Sequence, residues 1–167
     1  MPVLIQVEVM NEITGYALDN SDPGHALECI DESRARMEAS TWMPQDKIPM
    51  LARLALLRHR AGDTGKARGE ADAARALFEA ERERIPSAER ADALRPLAEA
   101  YHSMGEMPEA LRLYSMAVEE GAVNINARPR AEDLVATCCS MALRSIEPDA
   151  KLKARIQEIR GGLGDPW

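Results

Sequence analysis

The chain has 167 residues, 46% hydrophobic and 29% charged, which is the composition of a globular protein with room for one domain and a sizeable core. Aromatic residues make up only 4%, so the interior must be filled by Leu, Ile, Val, Met and Ala, which points to an all-α protein. A net charge of −7 disfavours a nucleic-acid partner, which needs a basic face, and no run reaches the ~18 apolar residues of a membrane-spanning helix, so no membrane partner is expected.

Apolar periodicity and punctuation predict eight helices. The first covers residues 3–18, with Val7, Met10, Ile13, Ala17 and Leu18 on one side. Residues 20–24 break it, and Asp22 before Pro23 forms a cap and first-turn pair for the second helix, which runs to Ala39. Asp46 is expected to cap a third helix that ends at Ala61. Gly62-Asp63-Thr64-Gly65 turns into a long, alanine-rich fourth helix reaching Arg84. Ser87 is expected to cap the fifth, where Pro96 removes a backbone donor and should kink it. Gly105 to Pro108 turns into a sixth helix ending near Gly121. The longest connection is expected over residues 122–128, with Pro129 opening the seventh helix. A turn at residues 145–148 leads to an eighth helix ending at Gly161-Gly162. The domain is read as residues 1–162, and residues 163–167 as a tail that frays unless Trp167 docks.

Ala26, Ala67, Ala110 and Ala150 fall 41, 43 and 40 residues apart within one shared pattern. Twelve residues before each stands Thr14, Ala55, Ala98 or Cys138; five before, the turn residue Ser21, Gly62, Gly105 or Ser145; seven after, Ser33, Ala74, Ala117 or Gln157. Small side chains at a helix crossing let the axes approach to about 8–10 Å. A recurrence at this period indicates stacked helix pairs forming a solenoid rather than one closed core. Leu94-x-x-Leu97-Ala98-x-x-Tyr101, followed by Gly105, Ala110, Tyr114 and Ala117, resembles the tetratricopeptide repeat. The second unit matches at Leu51, Leu54, Ala55, Gly62, Ala67 and Ala74, with Arg58 and Ala71 where the family has aromatics. Family repeats recur at about 34 residues, so the extra length here lies in longer second helices or in the connections. The resemblance implies an α-solenoid of about four antiparallel helix hairpins.

Chemistry-bearing motifs are scarce. His25 and Cys29 share one helix face, but two ligands do not make a metal site, and the pair reads as packing. Cys138 and Cys139 point about 100° apart on a helix, and Cys138 takes a helix-crossing position. Gly62-Asp63-Thr64-Gly65-Lys66 lacks the first glycine and the preceding strand of a phosphate loop. No enzyme activity, cofactor or metal is expected. Three cysteines, two of them adjacent, suit a reducing compartment, and residues 1–13 lack a basic leader and carry Glu8, so a cytoplasmic protein is expected.

The more suggestive constellation is polar. His59 and His102 stand 43 residues apart, at equivalent places in successive units; Asp92, Arg95, Glu99 and His102 form one stripe, and Arg53, His59 and Arg60 flank its counterpart. By resemblance the first helix of each unit lines a concave groove, making Arg53, His59, Arg60, Arg95, Glu99 and His102 the expected contacts to a protein or peptide partner. The family's clamp for two carboxylates is not expected, since Asn11 alone supplies little of it. Three functions are compatible with this pattern: a non-catalytic scaffold binding a partner segment; a small acidic secretion-type chaperone for an exported client; or a homo-oligomer assembling through the apolar N-terminal helix or residues 163–167. Residues 1–45 carry two basic and eight acidic side chains and residues 46–86 nine and seven, an asymmetry that suits head-to-tail contact or selective docking as well as plain solvated faces.

Overall fold

The computed structural model describes residues 2–163. Among them the chain is helical throughout, without a strand. The helices are α1 (Val3–Asp19), α2 (Pro23–Glu38), α3 (Pro44–Arg60), α4 (Thr64–Glu81), α5 (Ser87–Ser103), α6 (Met107–Ala122), α7 (Ala127–Leu143) and α8 (Ala150–Gly161), and a short 3-10 turn at Arg82–Arg84 extends α4. Most of the expected tail, including Trp167, lies outside the described residues; Leu163 packs against the core.

The helix starts reflect local chemistry. Asp22, Asp63 and Asp149 each accept the backbone N–H three residues on, from His25, Lys66 and Leu152. Two expected caps fail because a proline decides the start. Pro44 occupies the first turn of α3 behind Met43, which places Asp46 inside that turn as an acidic complement to the helix dipole. Pro86 stands at the cap of α5 and Ser87 is already helical, with no capping bond. Likewise α7 begins at Ala127, so Pro129 lies in its first turn and the connection from α6 shrinks to residues 123–126. Pro96 lies inside α5 as expected, and Pro49 inside α3.

The four turn residues read from spacing share one backbone state. Ser21, Gly62, Gly105 and Ser145 have φ of 62°, 92°, 80° and 55°, the left-handed region. In each case the next amide reaches back to the same carbonyl: Asp22 to Ala17, Asp63 to Arg58, Glu106 to Tyr101 and Ile146 to Met141, at 2.9–3.2 Å. This six-to-one bond closes helices α1, α3, α5 and α7 in one way.

Beyond the turn, three units agree and the fourth departs. Three residues join α1 to α2, α3 to α4 and α5 to α6, and each second helix folds back along its first. In all three pairs the small crossing positions are sealed: Thr14, Ala26 and Ser33; Ala55, Ala67 and Ala74; Ala98, Ala110 and Ala117 are all 0% exposed. The expected fourth pair does not repeat this. Glu147, Pro148 and Asp149 lengthen the turn, α8 starts only at Ala150, and it packs on α6 rather than along α7. Ala150 and Gln157 are exposed and Cys138 is half-buried.

The first helices pack in series, α1 on α3, α3 on α5 and α5 on α7. Equivalent positions meet at these junctions, but with different chemistry. Asn11 faces Met50 between α1 and α3; the matching Ala52 and Ala93 are both buried; Arg95 faces Asp133 between α5 and α7 at 3.6 Å. A second recurring contact reaches back to the preceding second helix. Arg58 donates to Asp31 (2.6 Å) on α2, and Tyr101, at the equivalent place, donates to Asp72 (2.5 Å) on α4. Tyr101, Tyr114 and Phe78 are the largest fully buried side chains, packed among Leu54, Leu94 and Leu97.

Candidate functional site

A shallow groove of about 580 Å³ runs across the first helices, from α1 over α3 to α5 and the end of α7. Asn11, Glu12, Gly15, Tyr16 and Asp19 come from α1, Arg53, Leu56, Leu57 and Arg60 from α3, then Glu99 and Arg144. The repeat brings them together, since Gly15, Leu56 and Glu99 are equivalent positions one unit apart, as are Glu12 and Arg53.

The groove's charges are largely engaged. Arg60 pairs with Asp19 at 2.8 Å, and Arg144 pairs with Glu99 at 2.6 Å. Glu99 also accepts from the Ser140 hydroxyl (2.6 Å), whose oxygen lies 2.8 Å from the buried Tyr114 hydroxyl. Tyr114 thus has its phenol pushed above the ordinary value by burial, and the chain Tyr114, Ser140, Glu99, Arg144 fixes the groove's α7 end. Arg53 is exposed and makes no hydrogen bond or ion pair among the described residues. Tyr16 stands 71% exposed at the rim, and Asn11, buried on the floor, has a carbonyl oxygen without a partner.

Of the six residues expected from sequence, Arg53, Arg60 and Glu99 line this groove, and the other three do not. Arg95 is half-buried between α5 and α7, held by Asp92 and Asp133. Burial pushes its guanidinium down and the Asp133 carboxyl up, each partly countered by the other. His59 lies in a separate depression of about 230 Å³ with Thr64, Arg68, Met104 and Glu106. His102 is half-buried outside both depressions. Sequence reasoning weighed Asn11 only as part of a carboxylate clamp and passed over Gly15, Tyr16 and Arg144. Gly15 carried a signal: a glycine mid-helix with no turn to make.

The second helices are joined to one another by ion pairs. Arg75 pairs with Glu109 (2.9 Å), Arg82 with Glu120 (2.5 Å), and Arg68 with Glu106, tying α4 and its extension to α6 and its cap; Arg155 on α8 pairs with Glu119 (2.8 Å) on α6. Among the described residues no group of three or more His, Cys, Asp or Glu is placed to hold a metal ion. The Cys29 sulfur lies 3.7 Å from His25 Nε2, and burial, then Glu32 and Glu28, push its thiol up, away from thiolate chemistry. No helix among the described residues is long and apolar enough to cross a membrane. Comparison with family models, with characterised proteins and with solved structures finds no match for this chain.

Proposed function

We propose that the chain is a non-catalytic, tetratricopeptide-like scaffold that binds an extended protein segment along the groove of its first helices. The observation that carries this reading is the unengaged Arg53 beside Leu56 and the rim Tyr16, in a groove whose remaining cations are already paired. A segment with a carboxylate opposite Arg53 and an apolar side chain against Tyr16 and Leu56 fits that lining. Packed helices and the ion pairs along the groove fix the receptor in advance, so the ordering entropy falls on the partner.

Gly15 supplies a clean test, because a Cβ added there meets nothing within 4 Å. A displayed library of random peptides is selected on the native chain, and the winners are measured against Gly15→Leu and Arg53→Glu. Selected peptides should share an acidic and an apolar position and lose at least about tenfold in affinity on both variants. Peptides that bind both variants undiminished, or a library that yields no binder, would sink the groove assignment.

A further inference from the structure

We infer that the protein associates head to tail with copies of itself, the outward face of α7 docking on the outward face of α1. In every inner junction the face of a first helix that looks back to the preceding unit is sealed. Met50, Leu54 and Leu57 of α3, Ala93, Leu97 and Ala100 of α5, and Asp133, Thr137 and Ser140 of α7 are all 0–8% exposed. The equivalent residues of α1 are Val9, Ile13 and Tyr16, which stand 45%, 44% and 71% exposed. They are the side chains of a repeat junction with no neighbour among the described residues.

The other half of such a junction is open at the far end of the molecule. The forward positions that meet these faces inside the chain are Asn11, Ala52 and Arg95, whose counterpart on α7 is Val135; Glu99, which contacts Ser140, corresponds to Cys139. Because α8 starts late and lies on α6, no described residue covers this side of α7: Val135 is 61% exposed, Leu143 84%, and Cys139 is exposed. Continuing the internal register by one step sets Val135 against Val9 of a second copy, and Cys139 against its Tyr16. Both faces are apolar, so burying them is favourable, and the geometry is the one the chain already uses three times. A contact between two unlike faces leaves one of each free on every dimer, so growth continues into linear chains or rings. This surface shares Tyr16 with the rim of the groove, but Val9, Ile13, Val135 and Leu143 line no part of the groove.

The test is sedimentation from micromolar concentration upward, with the native chain, Ile13→Asp and Leu143→Asp. The native mass should climb from 18.4 kDa through successive multiples, while each variant stays at 18.4 kDa. An equimolar mixture of the two variants should form a species of twice that mass and stop, because each contributes one intact face. Both substitutions are at exposed positions, and circular dichroism checks that the helices persist; Val9→Asp and Val135→Asp form a second pair at the same junction. A native chain that stays at 18.4 kDa throughout overturns the proposal and assigns the α1 face to another partner. Variants that do not complement each other, or an effect confined to the α1 substitutions, also overturn it, the latter in favour of a symmetric α1–α1 contact.

Discussion

Arg58 is the most informative single residue outside the groove. It fills the slot that Tyr101 fills one unit later, is 2% exposed, and meets Asp31, Glu70 and Asp63 at 2.6, 3.2 and 3.4 Å. Its guanidinium is raised above the ordinary value: desolvation works against the charge, but the bonds to Asp31 and Glu70 outweigh it. Replacing it with alanine leaves the 13%-exposed Glu70 without this partner and opens the space a ring fills elsewhere. Arg58→Ala should lower the unfolding free energy by about 3 kcal/mol in urea denaturation, and Arg58→Lys should rescue little, since an ammonium cannot fork to several carboxylates. A loss below about 1 kcal/mol would show the three pairs to be ornamental. A pH effect belongs to Glu109, whose carboxyl is held below the ordinary 4.5 by the Arg112 hydrogen bond first and then by Arg75. A depressed carboxylate stabilises the fold above its unfolded value, and that contribution disappears as pH falls through its folded value. Glu109→Gln should therefore cost stability at neutral pH and match the native chain once pH is well below 4.5. Asp133 runs the other way: burial raises its carboxyl, so its share of stability is full below the ordinary 3.8 and is lost as pH rises through the folded value.

Among the helices, two glycines make opposite predictions. A Cβ on Gly121 of α6 would fall 2.7 Å from the Asp133 Cβ of α7, whereas one on Gly15 of α1 meets nothing within 4 Å. Gly121→Ala should destabilise by about 1–3 kcal/mol as α6 and α7 are forced apart, and Gly15→Ala should stabilise by about 0.5–1 kcal/mol through helix propensity alone. Thermal melts of both variants decide this, and equal signs would refute the packing argument. The same contrast explains what was legible beforehand. Ser21, Gly62, Gly105 and Ser145 could be picked from spacing because a helix must be closed locally, by residues next to one another. Ala150 was misread because its burial depends on where α8 goes, and three residues, Glu147, Pro148 and Asp149, redirect the helix without disturbing the alanine spacing. The groove was half legible for a similar reason. Arg95 and Glu99 lie one turn apart on α5, yet only Asp133, on a helix 38 residues away in sequence, turns Arg95 inward.

At the level of the whole molecule, the packing is strongest within the run from α3 through α6, where α5 meets α6 and α3 meets α4 and α5, and it thins toward both ends. Tyr101, Phe78, Leu54, Leu94 and Leu97 concentrate the burial there, while α8 is tied mainly to α6 through Leu152, Ile159 and the Arg155–Glu119 pair. Amide hydrogen exchange should then be slowest in α3 and α5 and fastest in α8, with α1 between them. Protection in α8 equal to that in α5 would mean that the molecule opens only as one unit. Self-association adds a signature of its own, since α1 and α7 should gain protection as protein concentration rises while α4 should not.

The unlike chemistry of successive junctions bears on misassembly. Stacked, similar units are prone to exchange neighbours between chains or to close in the wrong order during folding. Across the junctions Arg95 meets a carboxylate only in Asp133, and the corresponding backward residues of the other units are Val9, Met50 and Ala93. Any swapped arrangement that offered Arg95 one of those three would remove its partner across the junction and leave the guanidinium only the exposed Asp92 of its own helix, which disfavours the swap. Val135 carries no such restriction and accepts an apolar neighbour. One ion pair therefore acts as a key that keeps the third and fourth units in order, while the open end is left free to take another copy.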